Sequence, residues 1–510
     1  MASGAPLANS VSVRTSIKRN TLFNFGGALI PIITSLVTVP IYLSRIGHAR
    51  YGVIAVIWVL FGYFALFDFG LGRATTYYIA RLKDSSPGDT ESIFWTALFA
   101  NAIFGLVGAT LLLLVGPVIF GSIVKVPSEL QAEALAALPW LALAVPVLTT
   151  TSVAFSALEG QERFLSVNIA GTFTTILSQL APLAYVLWRG PDLSPLIGTI
   201  VLARLAGLGV AFLACFRLLP LTKVHYPDRL RFRALFKYGG WITITSLVAP
   251  FLTTVDHFMI SASLGVRFVT YYAIPYNLAN QISVLPQSLS RTLFPRFSML
   301  EQDEARDMAV EALLTLAAIV TPIIVFAVGM LRPFLRLWLG PSLAEISAPV
   351  GSVLLLGMWA NGLAFIPYVL LRGQGRPDLT AKFHLLELFP YILALWFGIR
   401  LAGLQGAAWA WTARVVVDFL LLFAAARVFS RRCILLIPTA VFVLLAGFMS
   451  SLDITSTVWS AGLVGLMTLT SLAWSFFIAP DALKNEIRLF ATRVAHLNRF
   501  TQKRATEQEP

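Results

Sequence analysis

The chain has 510 residues, of which 57% are hydrophobic and 12% charged, and carries a formal net charge of +13. So much apolar surface exceeds what one soluble core can cover, which excludes an ordinary water-soluble protein. The basic residues lie in short loops between apolar runs, so they read as membrane topology signals and no nucleic-acid partner is expected.

The first twenty residues are polar and basic, and the run after them is long enough to stay as a helix, so no cleavable signal peptide is expected. Apolar runs long enough for a helix to cross the bilayer, roughly 20 residues at 1.5 Å each, then follow near 21–44, 51–72, 92–121, 136–158, 164–188, 193–216 and 238–262. They continue near 268–290, 310–331, 348–371, 383–399, 402–426, 433–452 and 456–479. These fourteen runs lack the alternation of a membrane β-barrel, and helices are the other way to satisfy every backbone group in lipid. The expected fold is therefore all-α and polytopic. With the N-terminus in the cytoplasm, about 28 of the 38 Lys and Arg fall on the inner side. That orientation and an even number of crossings put both termini in the cytoplasm. Cys215 and Cys433, the only cysteines, lie in different helices and suggest neither a disulfide framework nor a metal site.

A duplication organises the runs. Phe23 to Gly27 reads FNFGG and Phe236 to Gly240 reads FKYGG, while Gly47 and Arg73 match Gly265 and Arg291 at one offset. Leu158 to Gln161 is echoed by Leu371 to Gln374, and Ala203, Arg204 and Arg217 align with Ala413, Arg414 and Arg427. The matches imply two six-helix lobes, residues 1–225 and 226–430, then two additional helices over 431–480 and a basic cytoplasmic tail over 481–510. Anionic membrane lipid is the expected partner of that tail.

Tyr51-Gly52, the string Phe67-Asp68-Phe69-Gly70-Leu71-Gly72-Arg73-Ala74, Leu43 to Gly47 and the Gly160-Gln161 turn resemble the polysaccharide flippase family. This is the Wzx-type branch of the multidrug, oligosaccharidyl-lipid and polysaccharide exporter superfamily. The resemblance implies a protein of the cytoplasmic (inner) membrane that moves an undecaprenyl-diphosphate-linked oligosaccharide between leaflets by alternating access, for cell-envelope polymer synthesis. It also implies no cofactor, coupling to a proton or sodium gradient, and polysaccharide polymerase and glycosyltransferases as working partners.

A flippase must carry a diphosphate and a hydrated glycan past hydrocarbon, so basic residues within helices come first. Arg204 and Arg414 fall at equivalent levels of the sixth and twelfth runs, and a guanidinium fork suits phosphate oxygens. Each could bind substrate or serve a structural pair, Arg414 with Asp418 in particular. Arg73 and Arg291, at the inner ends of the second and eighth runs, could greet the diphosphate or act as topology anchors. Asp68, Asp256 with His257, His384 with Glu387, and Asp418 are candidates for ion coupling. Asp68 could equally cap its loop or pair with Arg73, and Asp256 could sit at a water-exposed interface. Tyr63, Tyr272 and Tyr276 could stack on sugar rings or pack in the core. A multidrug cation antiporter of the same superfamily is the alternative, disfavoured because the central charges are arginines. A glycan polymerase fits less well, because no sizeable loop and no acidic cluster offers an active site. Nor is there a phosphate-binding Gly-rich loop with its Lys for an ATP motor, so an enzyme is not expected.

Overall fold

A computed structural model of the chain describes residues 7–81, 87–161, 163–219, 221, 223–452, 457–481 and 483–485. The side chains of residues 7–32, 65–66, 87, 123, 237–250, 291–292, 295 and 457–460 fall outside that description. Most of the expected basic tail therefore lies beyond the described residues.

The regular elements are helices, with no strand among the described residues. In order they are α1 (Leu7–Phe64), α2 (Leu71–Arg81), α3 (Pro87–Val118), α4 (Ser128–Ala136), α5 (Leu138–Gly160), α6 (Phe164–Arg189), α7 (Leu193–Leu218) and α8 (Arg229–Leu264). There follow α9 (Val266–Asn280), α10 (Val284–Met299), α11 (Gln302–Leu339), α12 (Pro341–Gly373), α13 (Pro377–Ala426), α14 (Leu436–Ser451) and α15 (Thr457–Ile478). Among the described residues 10 helices are long and apolar enough to cross a membrane. The sequence leads one to expect fourteen, and part of the difference lies in how runs join: α1 is broken at Gly47 and α13 at Ala402 and Gly403. Gly403 takes φ 55° and ψ −129°, a conformation open to glycine and strained for a residue with a Cβ.

Packing divides the chain into two compact units, Met1–Thr270 and Tyr271–Pro510. By this division α8, expected to open the second sequence repeat, belongs to the first unit. The core of the first unit gathers Leu71, Ala74 and Ile79 of α2, Phe94 and Ala97 of α3, Val153 to Leu158 of α5, and Ala211 and Cys215 of α7. Its small residues admit close approach, the usual basis of helix packing in lipid, where no hydrophobic drive separates protein from solvent.

In the second unit α12 is the most enclosed helix, with Leu354, Leu363, Ile366 and Leu370 fully buried against its neighbours α11 and α13. The two arms of α13 fold back on each other. Their crossing is so tight that a Cβ on Gly406 would meet the Gly398 carbonyl oxygen at 1.8 Å. Sequence and structure differ at the second expected run, 51–72. The helix there stops at Phe64, a 3-10 turn covers Ala65–Asp68, and α2 starts anew at Leu71.

Candidate functional site

The reason for that early stop is Asp68. Its carboxylate accepts from the Gly72 backbone N at 3.0 Å, Asn101 Nδ2 at 2.7 Å and Ser152 Oγ at 2.9 Å. Phe69 and Gly70 turn the chain with positive φ (47° and 69°). Gly72 leaves no room for a side chain, since a Cβ would meet Ser152 Oγ at 2.4 Å. The string Phe67 to Gly72 thus ties α2 to α3 and α5 through one buried acid.

Arg204 stands 11 residues after Leu193, the first residue of α7 (204 − 193 = 11), which is about 16 Å along the helix. It lines a cavity of about 260 Å³ that lies wholly within the first unit. The other lining residues are Ser35, Thr38, Val39, Tyr42 and Trp58 of α1 and Thr174, Thr175, Ser178 and Gln179 of α6. Arg204 is the only charged residue among them. Its guanidinium carbon sits 4.6 Å from the centre of the Phe61 ring, a cation–π contact that fixes one face of the fork. Several cavity hydroxyls are spent on backbone carbonyls: Thr174 donates to Ala170 at 2.7 Å, Thr175 to Gly171 at 2.9 Å and Tyr42 to Gln179 at 2.8 Å. By contrast Arg204 Nε, Ser178 Oγ and Gln179 Oε1 are buried with no hydrogen-bond partner among the described residues. A buried guanidinium with no carboxylate beside it is costly unless water or an anion completes it. The volume falls below the roughly 300–1,000 Å³ of pockets that engulf drug-sized ligands, and it suits a hydrated phosphate-sized group.

Arg414 has different company. The turn at Ala402 and Gly403 places residues equidistant from it at one level of the α13 hairpin. Tyr391 and Arg414 are each 11 residues from it (402 − 391 and 414 − 403), and Glu387 and Asp418 are each 15 (402 − 387 and 418 − 403). The Arg414 guanidinium carbon lies 5.3 Å from the Tyr391 ring centre. Asp418 Oδ1 is 3.9 Å from His384 Nε2, and Glu387 faces the Asp418 carboxyl. His384 in turn stacks on Tyr368 of α12 with ring centres 6.2 Å apart.

The remaining candidates are scattered. Asp256, expected near a water-exposed interface, is instead fully buried in α8, where Oδ1 accepts from the His257 backbone N and faces His257 Nδ1, both at 2.8 Å. Ile260, one turn on along α8, is fully buried as well. Arg73 is exposed on α2. Arg291 lies in α10, and its side chain is outside the described residues. Tyr63 bonds its hydroxyl to Thr254. Tyr272 is fully buried and stacks on Tyr276, which meets Trp411 edge-on at 5.7 Å. Sequence reasoning missed the Ser178 and Gln179 groups beside Arg204. Their signal was a polar stripe in an apolar run, Thr174, Thr175, Ser178 and Gln179, spaced for one face of a helix.

Comparison with known proteins places this architecture. Residues 17–301 match the family described as "Polysaccharide biosynthesis protein". The "Putative O-antigen transporter" of Shigella flexneri is 28% identical over 408 residues, which are 80% of this chain and 97% of that protein. Among solved structures, the lipid II flippase MurJ in an inward closed conformation superposes with a TM-score of 0.72 at 15% identity, covering 91% of this chain and 100% of that one. An inward-facing multidrug resistance MATE family transporter of the MOP superfamily gives 0.66 at 12% identity, covering 78% and 97%. At such identities the structural likenesses establish the fold. They agree with the resemblance drawn from Tyr51 to Ala74 and with the all-α, polytopic reading. This multi-pass membrane protein belongs to the polysaccharide biosynthesis protein family.

Proposed function

We propose that the protein flips undecaprenyl-diphosphate-linked oligosaccharide units from the inner to the outer leaflet of the cytoplasmic membrane, by alternating access, with both termini in the cytoplasm. The observation that carries this reading is the Arg204 cavity, where a buried cation with an open donor is ringed by hydroxyls and has no acid among its lining residues. Such a site rewards an anionic head group. A diphosphate offers oxygens to the guanidinium fork and to Ser178, while the glycan stays in water and the polyprenyl tail in lipid. A multidrug cation antiporter on this fold would need a carboxylate in the same cavity.

Support also comes from the Shigella flexneri relative named for O-antigen transport. The reaction makes and breaks no covalent bond, so the protein is read as a transporter and not an enzyme. Polymerase and glycosyltransferases are the partners that such a substrate requires before and after transfer, and the energy source is a proton or sodium gradient. Exposed Arg73, and Arg291 at the matching point of the repeat, are assigned to first contact with the diphosphate at the cytoplasmic side. Asp68, which holds three donors, is assigned to holding the α2 turn, and Asp256 to the pair with His257.

The test is reconstitution in vesicles with a fluorescent undecaprenyl-diphosphate sugar. A hydrogen bond to a charged group contributes about 1.5–3 kcal/mol, which converts to roughly a 10- to 150-fold loss. Arg204→Ala should lose flipping on that scale, and Arg204→Lys should keep part of it. Unchanged flipping by Arg204→Ala sinks the assignment, and efflux of organic cations in place of the lipid transfers the protein to the antiporter reading.

A further inference from the structure

The second unit contains an ionisable cluster that head-group binding leaves unused. Glu387 and Asp418 are 5% and 6% exposed, yet both Glu387 oxygens and Asp418 Oδ1 lack a hydrogen-bond donor among the described residues. The group that Glu387 faces is another carboxyl. Two buried carboxylates side by side repel, and neither can offer the other a bond unless one of them holds a proton. We propose that Glu387 and Asp418 form a proton-binding pair that takes up one proton from one side of the membrane and releases it to the other during each transport cycle. This rests on the transport reading and names its coupling ion as the proton.

The charge count gives the stoichiometry. Around the pair stand Arg414 and Tyr391 on α13 itself, His384 one turn away, and, from the packed helix α12, Tyr368 with Arg372 against its ring. Arg372 is exposed and its charge is left to solvent; with Arg414 charged, His384 neutral and both carboxyls ionised, the buried cluster carries one net negative charge. Adding one proton to the pair makes the cluster neutral and supplies the missing bond between Glu387 and Asp418. Burial without a counter-charge is expensive, so the protonated cluster is the form that tolerates a dry surrounding and the deprotonated form needs water. His384 is the path by which the proton arrives. Its side chain is 19% exposed, against 8% for Asp418, and its Nε2 points at Asp418 Oδ1 across 3.9 Å, room for an approach without a fixed bond.

The pair is offered to a proton and not to sodium for a reason of ligands. A cation site uses several oxygens with little competing positive charge. Here Arg414 acts on Glu387 and on His384, and among the described residues no group of three or more His, Cys, Asp and Glu converges as a metal site would.

Infrared titration of the purified, full-length protein tests the site independently of any transported lipid. Wild type should show the carbonyl band of a buried carboxylic acid that disappears as pH rises, and the band should be missing in Glu387→Gln and diminished in Asp418→Asn. Its absence from wild type throughout the titration, its persistence in both variants, or its loss on adding sodium chloride at constant pH overturns the pair. In vesicles with the fluorescent lipid-linked sugar and a lumenal pH dye, wild type should acidify or alkalinise the lumen only when the lipid moves. Glu387→Gln should lower that proton movement at least tenfold, while binding of the lipid-linked sugar stays within twofold. Proton movement equal to wild type in both variants also overturns the proposal. A wild type that moves no lipid but keeps the titrating band retires the flippase reading and leaves the proton pair standing.

Discussion

Arg204 and Arg414 stand 11 residues from the start of α7 and from the α13 turn respectively, occupy matching places in the sequence repeat, and have opposite surroundings. Arg204 faces hydroxyls and a cavity, with no acid among the lining residues. Arg414 faces a phenol ring and acts on one buried acid, Glu387, and a histidine, His384. The same cation at the same depth thus lines a cavity without acids in one unit and lies near buried Glu387 and His384 in the other. What a duplicated residue does is decided by the acids that its neighbours supply, and the repeat alone does not carry that information.

Removing each arginine should break the symmetry most plainly. Arg414→Ala leaves buried Glu387 without its nearby cation, and stripping one partner from a buried charged group costs about 3–5 kcal/mol. Lowered thermal stability in detergent, restored in part by Asp418→Asn in the same chain, is the expected result. Arg204→Ala strands no carboxylate, so its melting temperature should stay near wild type while head-group binding falls. Equal destabilisation by the two substitutions removes the distinction between the arginines.

The next effect concerns what holds Glu387 level with Asp418. A Cβ on Gly406 would fall 1.8 Å from the Gly398 carbonyl oxygen, a clash with backbone that cannot turn aside. Gly406→Ala should therefore separate the arms of α13, with a loss of about 1–3 kcal/mol and a shifted or broadened carboxylic acid band. The Arg204 cavity, built from other helices, should still bind its anion in this variant. Loss of anion binding as well would mean that the two sites are not independent.

Much of this architecture is legible in the amino-acid sequence. The break between 399 and 402 and the mid-helix position of Arg204 follow from run lengths and from glycine. Three things are hidden there, each because it depends on contact between distant positions. Asp68 finds its partners 33 and 84 residues away, at Asn101 and Ser152, so the bonds that tie this loop acid to α3 and α5 cannot be read from its own run. Asp256 reads as exposed from its depth in the run, but packing on its own face buries it. Glu387 and Asp418 become neighbours only when the turn is located at Ala402 and Gly403, because a shift of two residues in that turn would rotate one arm and part them.

A third arginine sharpens the comparison with the smallest effect. Arg50 donates to Glu133 of α4 through Nε at 3.1 Å and Nη2 at 2.7 Å, and Glu133 also accepts from the Leu193 backbone N at the head of α7, at 3.1 Å. Both side chains are about one quarter exposed, so this is a partly solvated pair and contributes about 0.5–1 kcal/mol. The hydrogen bonds from Arg50 hold the Glu133 carboxyl below the usual glutamate range. A group whose value is lower folded than unfolded adds stability above its unfolded value, about 4.3, and gives it up as pH falls through the folded value. Wild type should therefore lose up to that amount below about pH 4, an effect absent from Glu133→Gln, which should be less stable at pH 7 and equal to wild type in acid. Thermal unfolding of both proteins between neutral and acid pH measures the difference. Parallel curves across that range would mean that Glu133 braces α4 by packing alone. Arg50 would then join Arg204 as a cation whose stability does not depend on an acid.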